Sequence, residues 1–339
     1  MKPMKAVIIG CGNIFPMHAV SVTKLAPEVQ LVAVCDNKIE RAQAAAAQYH
    51  CKMYQDYKEM LDIEKPDAVH ICTPHYLHPE MAIYALTHGI NVLCEKPVAI
   101  ELADALRMEQ AAAENKKVLM VSFQSRFNPA SVLMKQTLES GALGKILSAR
   151  AMITWNRSDA YYSQSDWKGT WDKEGGGVII DQAIHTLDLM NWLIDSPFVK
   201  VEAFLANRAH HVIDVDDCAD GVITYENGVK ASFFAINYYA YDAPVEIEMY
   251  CENGIVKLVG EQATIRFFDG HTLSAERNPN EIFDFGDVKQ YWGVGHQKEI
   301  AHFYDCLATG KKPCNTVTEV MPTERLICAI YKQGRKNWK

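Results

Sequence analysis

Hydrophobic residues follow two different patterns along the chain. Up to about residue 122, short, mainly apolar runs alternate with stretches of helical period. The runs are residues 4–10, Leu31–Cys35, Lys52–Tyr54, Asp67–Ile71, 90–94 and Lys117–Val121. Between them lie helical stretches at 15–25, Glu40–Gln48, Tyr57–Leu61, Pro79–His88 and 101–114. Apolar runs bounded by turn residues predict buried parallel strands, and their alternation with helices predicts an α/β domain over residues 1–122. Beyond that point the pattern changes. A helix (Ala130–Glu139) and a strand (Lys145–Trp155) lead to a polar, aromatic loop from Asn156 to Glu174. From Val199 to Phe268 apolar and polar residues alternate, with turn signals at Glu226-Asn227-Gly228, Asp242-Ala243-Pro244 and Glu252-Asn253-Gly254. That predicts antiparallel strands joined by hairpins, with one face on helices and the other solvated or paired with a second copy. Two helices, at 293–309 and 318–333, complete a second domain over 123–339.

Composition narrows the class. The chain has 339 residues, 49% hydrophobic and 22% charged, enough for two soluble domains with full cores. A formal net charge of −8 argues against nucleic acid or an anionic membrane as partner. No apolar run is long enough to span a bilayer, and the start leads directly into a strand, so a cytoplasmic protein is expected. The ten cysteines include no C-x-x-C pair, and Cys35, Cys72 and Cys94 lie in apolar runs. They read as reduced and structural. Asp214, Asp216 and Asp217 with His210 and His211 read as an acidic turn, and no metal is expected.

Candidate chemistry gathers at the predicted strand ends, where open α/β sheets bind ligands. The first strand runs into Gly10-Cys11-Gly12-Asn13-Ile14-Phe15, with a helix behind it. In that context G-x-G is a dinucleotide loop: Gly10 permits the tight turn and Gly12 lets a pyrophosphate approach the helix N-terminus. Asn13 and Ile14 belong to the same loop, while Phe15 replaces the third glycine. Asp36 ends the second strand, placed for an adenosine ribose and unfavourable to a 2′-phosphate, so NAD is expected over NADP. The fourth run ends in Thr73-Pro74-His75-Tyr76-Leu77-His78 and the fifth in Cys94-Glu95-Lys96-Pro97. A partly desolvated lysine at a strand end serves as proton donor or acceptor. Farther on, Gly175-Gly176-Gly177 precedes Asp181, His185 and Asp188, and the i, i+4 spacing puts Asp181 and His185 on one helical face. By spacing alone, a helix cap and a satisfied core histidine are the better explanation of that pair.

The order G-x-G, strand-end acid, T-P-x-x-x-H, C-E-K-P and G-G-G-x-x-x-D-x-x-x-H-x-x-D resembles the Gfo/Idh/MocA family of glucose–fructose oxidoreductases and inositol dehydrogenases. The resemblance implies a Rossmann domain followed by an α+β domain with a large open, mainly antiparallel sheet used for homodimers or homotetramers. It implies that Lys96, Asp181 and His185 form the catalytic set, and that Lys96–Pro97 is cis. Glu95, Lys96, Thr73, Pro74 and His78 would line the cofactor. Phe123 to Pro129 resembles the family's hinge, placing Gln124 and Arg126 near the cofactor or active site. Trp167 and Lys168 match a W-[RK] pair that approaches the cofactor, and Tyr161 and His296 become candidate substrate contacts. Gln182 stands where the family has glycine and is expected to turn off the Asp181/His185 face.

These features together imply reversible oxidation of a secondary hydroxyl on a sugar, sugar derivative or cyclitol. His185 would act as general base and Lys96 would stabilise the alkoxide. Two alternatives use the same fold: a glycoside hydrolase working by transient oxidation with bound NAD, and a non-catalytic, cofactor-binding regulator. Substrate choice would lie in the loops 156–174 and 271–292.

Overall fold

The computed structural model of the chain describes residues 2–278, 280, 281 and 294–338. It divides into two units, Met1–Gln124 with Ile282–Met321, and Ser125–Glu281 with Pro322–Lys339. The first unit carries β1 (Met4–Ile9), α1 (Phe15–Thr23), β2 (Val29–Cys35), α2 (Ile39–Tyr49), β3 (Lys52–Tyr54), α3 (Tyr57–Glu64), β4 (Ala68–Ile71), α4 (His78–Thr87), β5 (Asn91–Cys94), α5 (Leu102–Asn115) and β6 (Leu119–Val121). These strands form one parallel sheet in the order β3-β2-β1-β4-β5-β6. All of β4 and the last four residues of β1 are buried. That is why their sequences are mainly apolar rather than alternating, with His70 the one polar residue of β4. The strand order reverses between β1 and β4, which opens a crevice at their carboxyl ends.

The contiguous second domain expected over 123–339 needs correction. A later helix, Gly295–Thr309, returns to the first unit. Its Ile300, Phe303 and Tyr304 share one core cluster with Phe15, Ala19 and Val22 of α1. The apolar stripe on α1 needs a cover, and this helix supplies it. Its expected start at 293 lies outside the described residues.

The second unit contains α6 (Pro129–Glu139), β7 (Ile146–Thr154), a short α7 (Asp159–Ser163), a π turn (Val178–Ala183) and α8 (Ile184–Ile194). Seven strands follow: β8 (Phe198–Ala206), β9 (Cys218–Tyr225), β10 (Lys230–Ile236), β11 (Glu246–Cys251), β12 (Gly254–Val259), β13 (Gln262–Phe267) and β14 (Thr272–Ala275). The sheet order is β14-β13-β12-β11-β7-β10-β9-β8, antiparallel except for the parallel pair β7–β10. The helix Gly295–Thr309 is therefore α9, and α10 (Val317–Gly334) ends the helical series.

The expected hairpin at Asp242-Ala243-Pro244 does not form, because β7 lies between β10 and β11. The segment is held instead by the end of β7. Ala243 N donates to Thr154 O at 3.0 Å, Trp155 Nε1 to Ala243 O at 3.1 Å, and Arg157 Nη1 to Asp242 Oδ1 at 2.9 Å. The loop expected over 156–174 has local order of its own in α7, whose first turn is capped by Ser158.

On the sheet face away from α8, cross-strand register lines up Phe204, Asp220, Phe234, Met152, Glu246 and Val259 in one row. Phe204 and Phe234 are 58% and 40% exposed, too much for core positions. All ten cysteines are free thiols, with Cys35, Cys72 and Cys94 buried as expected. Among the described residues, no helix is long and apolar enough to cross a membrane.

Candidate active site

Four loops converge at the carboxyl ends of the first unit's central strands. Gly10 continues β1 with φ +94°, and its amide donates to Cys35 O at 2.8 Å. Asp36, buried at the end of β2, receives Cys11 N on Oδ2 and Lys38 N on Oδ1, each at 2.8 Å. The acid read as a ribose acceptor thus also fixes the glycine loop from behind. Around Gly12 the position of a Cβ is open for 4 Å. Asn13 is exposed and Ile14 half-buried at the start of α1, while Phe15 packs edge-on against Tyr49. A dinucleotide fits this loop: there is space at Gly12, a helix N-terminus, and a fixed carboxylate at the neighbouring strand end.

Thr73 and Pro74 are half-buried after β4, and Lys96 is half-buried after β5. Lys96–Pro97 is cis. His78 is wholly buried, with Nδ1 2.9 Å from Pro97 O and Nε2 3.0 Å from Thr73 O. The ring lies between the two loops, with one nitrogen facing a carbonyl of each. Gln124 is buried, and its side-chain oxygen has no hydrogen-bond partner among the described residues. An orphaned buried acceptor is costly, which marks this position as one where a bound donor is favourable.

Glu95 is flanked by two histidines. Its Oε1 lies 2.9 Å from His18 Nε2 and 3.7 Å from His296 Nε2. Burial alone would raise its pKa, but the hydrogen bonds from His18 and His296 hold it well below the usual carboxylate range. His296, expected as a substrate contact, is 2% exposed and lies beside Glu95. His18 and His70 were not expected at the site. The only sequence signal for either was a histidine on an otherwise apolar segment. Glu299, also buried, accepts from Ser122 Oγ, Phe123 N and Asn315 Nδ2. Burial, opposed by His296, pushes it up to about 7.

In the second unit the chemistry surrounds Asp181. Three donors converge on its Oδ2: Lys168 Nζ at 2.6 Å, Gln182 Nε2 at 2.7 Å and the Tyr161 hydroxyl at 2.9 Å. The expectation for Gln182 is thus corrected. Its amide bends back to Asp181, and Asn237 Nδ2 donates to its oxygen at 3.2 Å. Lys168 also reaches Glu174 Oε1 at 3.3 Å and lies over the Trp167 and Tyr161 rings. Burial would lower the Lys168 pKa, but Asp181 and Glu174 hold it well above the ordinary lysine value. Burial pushes Glu174 up to about 7 despite the lysine.

The regular helix expected across Asp181 and His185 is absent. Val178–Ala183 is a π turn and α8 starts only at Ile184, so the i, i+4 spacing does not place the pair on one α-helical face. The turn is held by Asp216, which receives Gly177 N at 2.8 Å and Ile179 N at 3.0 Å. Burial, eased by these amides, sets Asp216 at about 6. A side chain on Gly177 would overlap the Asp216 carbonyl, and one on Gly176 the Tyr331 hydroxyl. The glycine run is thus a packing requirement of the turn. Asp217 caps the amides of Arg208, Ala209 and His210. His185, half-buried, lines a cavity of about 40 Å³ with Ser125, Asn128, Ser131 and Glu261.

Arg126 takes a structural position. Nε and Nη2 donate to Asp188 at 2.8 and 2.5 Å, Thr323 Oγ1 donates to the same carboxylate at 2.7 Å, and the guanidinium lies over Trp192. A buried fork-to-fork pair of this kind holds two of the guanidinium's donors on Asp188. Of the loop expected at 271–292, the part from 282 onward lies outside the described residues.

Comparisons with known proteins bear on both units. Residues 4–123 match the oxidoreductase family with an NAD-binding Rossmann fold, and residues 132–257 match the GFO/IDH/MocA C-terminal domain. D-glucoside 3-dehydrogenase of Escherichia coli (strain K12) is 33% identical over 202 residues, which are 59% of this chain and 56% of that protein. Inositol 2-dehydrogenase of Salmonella typhimurium (strain LT2) is 26% identical over 316 residues, 91% of this chain and 88% of the relative. Among solved structures, the WlbA dehydrogenase from Bordetella pertussis, in complex with NADH and UDP-GlcNAcA, superimposes with a TM-score of 0.88. It is 27% identical and covers 99% of this chain and 96% of its own.

Proposed function

The chain belongs to the GFO/IDH/MocA family of NAD-binding oxidoreductases, and from that premise we propose that it reversibly oxidises a secondary hydroxyl of a sugar, sugar derivative or cyclitol. The observation that carries this reading is the position of Lys96. It stands half-buried on a cis-proline turn, at the end of a strand two places from the glycine loop in the same parallel sheet. The names of the relatives, dehydrogenases of a glucoside and of an inositol, support the substrate class.

Each residue then has a physical role. His185 takes the hydroxyl proton, since imidazole titrates near working pH. Asp181 is a poor base because three donors already occupy one of its oxygens, so it serves as a fixed acceptor that orients a neighbouring hydroxyl. Lys96 stabilises the developing alkoxide. Lys168, with Trp167 and Tyr161, holds Asp181 in place and offers aromatic surface to the C–H faces of a ring. Gly10, Gly12, Asn13, Ile14 and Asp36 bind the dinucleotide, with Thr73, Pro74, Glu95 and Gln124 beside it. The bound nicotinamide supplies the hydride acceptor.

The open sheet face is the proposed seat of a second copy. Its row of exposed Phe204, Phe234, Met152 and Val259 is interrupted by only two acids.

The test is NADH formation by the purified protein with NAD and a panel of sugars, glycosides and inositols. NADH growth with a polyol, lost in Lys96→Ala and His185→Ala while NAD still binds, is the expected result. Undiminished turnover in either variant would remove these roles. Release of aglycone from a glycoside without NADH growth would replace the dehydrogenase reading by the NAD-assisted hydrolase.

A further inference from the structure

We infer that His18, His70 and Tyr304 form a buried relay whose three hydrogens all point toward Glu95 and fix its carboxylate as an anion at the strand end that carries Lys96. The relay consists of three contacts within the first unit. His18 Nε2 lies 2.9 Å from Glu95 Oε1, His18 Nδ1 lies 2.9 Å from His70 Nδ1, and His70 Nε2 lies 2.8 Å from the Tyr304 hydroxyl. His18 and His70 are fully buried, and Tyr304 is 2% exposed.

Each contact holds one hydrogen, and the direction follows link by link. An ionised carboxylate only accepts, so His18 carries its hydrogen on Nε2. A neutral imidazole then presents a lone pair at Nδ1, which obliges His70 to donate from its own Nδ1. His70, neutral in turn, presents a lone pair at Nε2, which obliges Tyr304 to donate its hydroxyl hydrogen. With Glu95 ionised and both rings neutral, no other arrangement satisfies all three contacts. The surroundings favour the neutral forms of His70 and Tyr304. Burial pushes His70 well below the usual imidazole value, and burial keeps the Tyr304 hydroxyl protonated. Aligned donors strengthen one another, and here they supply what water would otherwise give a buried anion.

The consequence rests on the proposed reading that Glu95 lines the cofactor. A nicotinamide ring is positively charged when oxidised and neutral when reduced. A fixed anion beside it therefore favours binding of NAD⁺ over NADH. His18 acts through Glu95 and is a positioning residue.

Two measurements on the full-length protein test this. With nitrogen-15 at histidine only, the ring-nitrogen chemical shifts at neutral pH separate protonated from lone-pair nitrogens. The expected pattern is Nε2–H on His18 and Nδ1–H on His70. A doubly protonated His18, or Nε2–H on His70, would reverse the relay and overturn the inference. The second measurement is the ratio of NAD⁺ to NADH affinity by fluorescence titration. His18→Leu is expected to shift that ratio several-fold toward NADH. His18→Gln, whose amide still donates to Glu95, should retain most of the wild-type ratio. Equal loss of both cofactors in His18→Leu, or an unchanged ratio, would reduce His18 to a packing residue and overturn the inference. Neither readout needs a substrate, so its failure is separate from any failure of polyol oxidation.

Discussion

Gly10 and Cys72 approach so closely that a Cβ on Gly10 would lie 2.5 Å from the Cys72 carbonyl oxygen, whereas a Cβ on Gly12 would meet nothing within 4 Å. Two glycines of one motif therefore have different physical roles. Gly10, at φ +94°, lets the first loop close against the end of β4. Gly12 leaves room above the helix N-terminus. Gly10→Ala combines the clash with left-handed strain of about 1–2 kcal/mol and should lower the thermal midpoint clearly. Gly12→Ala should leave the midpoint nearly unchanged and weaken NAD binding by about tenfold, which corresponds to about 1.4 kcal/mol. Thermal unfolding and cofactor titration on the two variants separate the roles; equal destabilisation by both would refute the division.

The parallel sheet was legible because both faces of its inner strands are buried, which leaves a mainly apolar run for each of them and turn residues at their ends. Asp36 and Lys96 could be placed from that alone. The second sheet was legible in its alternation but not in its order. A hairpin signal such as Asp242-Ala243-Pro244 is local, and nothing near it announces that β7, far earlier in the chain, is inserted between the strands it seems to join. The return of α9 to the first unit was hidden for the same reason. His18 and His70 were missed because their partners lie 52 and 234 residues away in sequence. The π turn at Val178–Ala183 was read as an ordinary helix, because its apolar spacing does not distinguish a wider turn from a regular one.

Arg126 and Asp188 are expected to matter for stability before they matter for turnover. The pair is buried, with side-chain exposures of 7% and 0%. Removing one partner leaves an uncompensated buried charge, a loss of about 3–5 kcal/mol. Asp188→Ala should therefore lower the urea midpoint sharply. The double variant Arg126→Met/Asp188→Leu, which removes both charges, should recover a large part of the loss. If the double variant is no more stable than Asp188→Ala, the cost lies in packing and not in charge.

The sheet face gives a prediction about assembly. Phe234 is 40% exposed and lies between Asp220 and Met152 in the cross-strand row. A carboxylate at this position is harmless to a solvated face and costly in a dry one. Phe234→Asp should keep the circular dichroism of the wild type and shift the mass seen by sedimentation or light scattering from a multiple of the protomer to the protomer itself. A variant with unchanged mass would place the contact between copies elsewhere.

Glu299 ties the fold of the first unit to pH. Burial, with the nearby Glu95, raises its pKa from 4.5 to about 7, against the opposing pull of His296 and of the hydrogen bonds from Asn315 and Ser122. A carboxyl group that binds its proton more tightly in the folded chain than in the unfolded one stabilises the fold at low pH. That stabilisation is fully present below about pH 4.5 and is lost as pH rises through about 7. Glu299→Gln removes the titration while keeping the shape. It also turns an amide toward donors, at a cost that does not change with pH. The unfolding free energy of wild type minus that of the variant should therefore fall as pH rises from about 4.5 to 7, at a limiting slope near 1.4 kcal/mol per pH unit, and flatten above. Taking the difference cancels the opposing contributions of groups distant from Glu299. Urea unfolding of both proteins across that range measures it directly. A difference independent of pH would mean that Glu299 is already ionised throughout, and that the three donors of Ser122, Phe123 and Asn315 outweigh its burial.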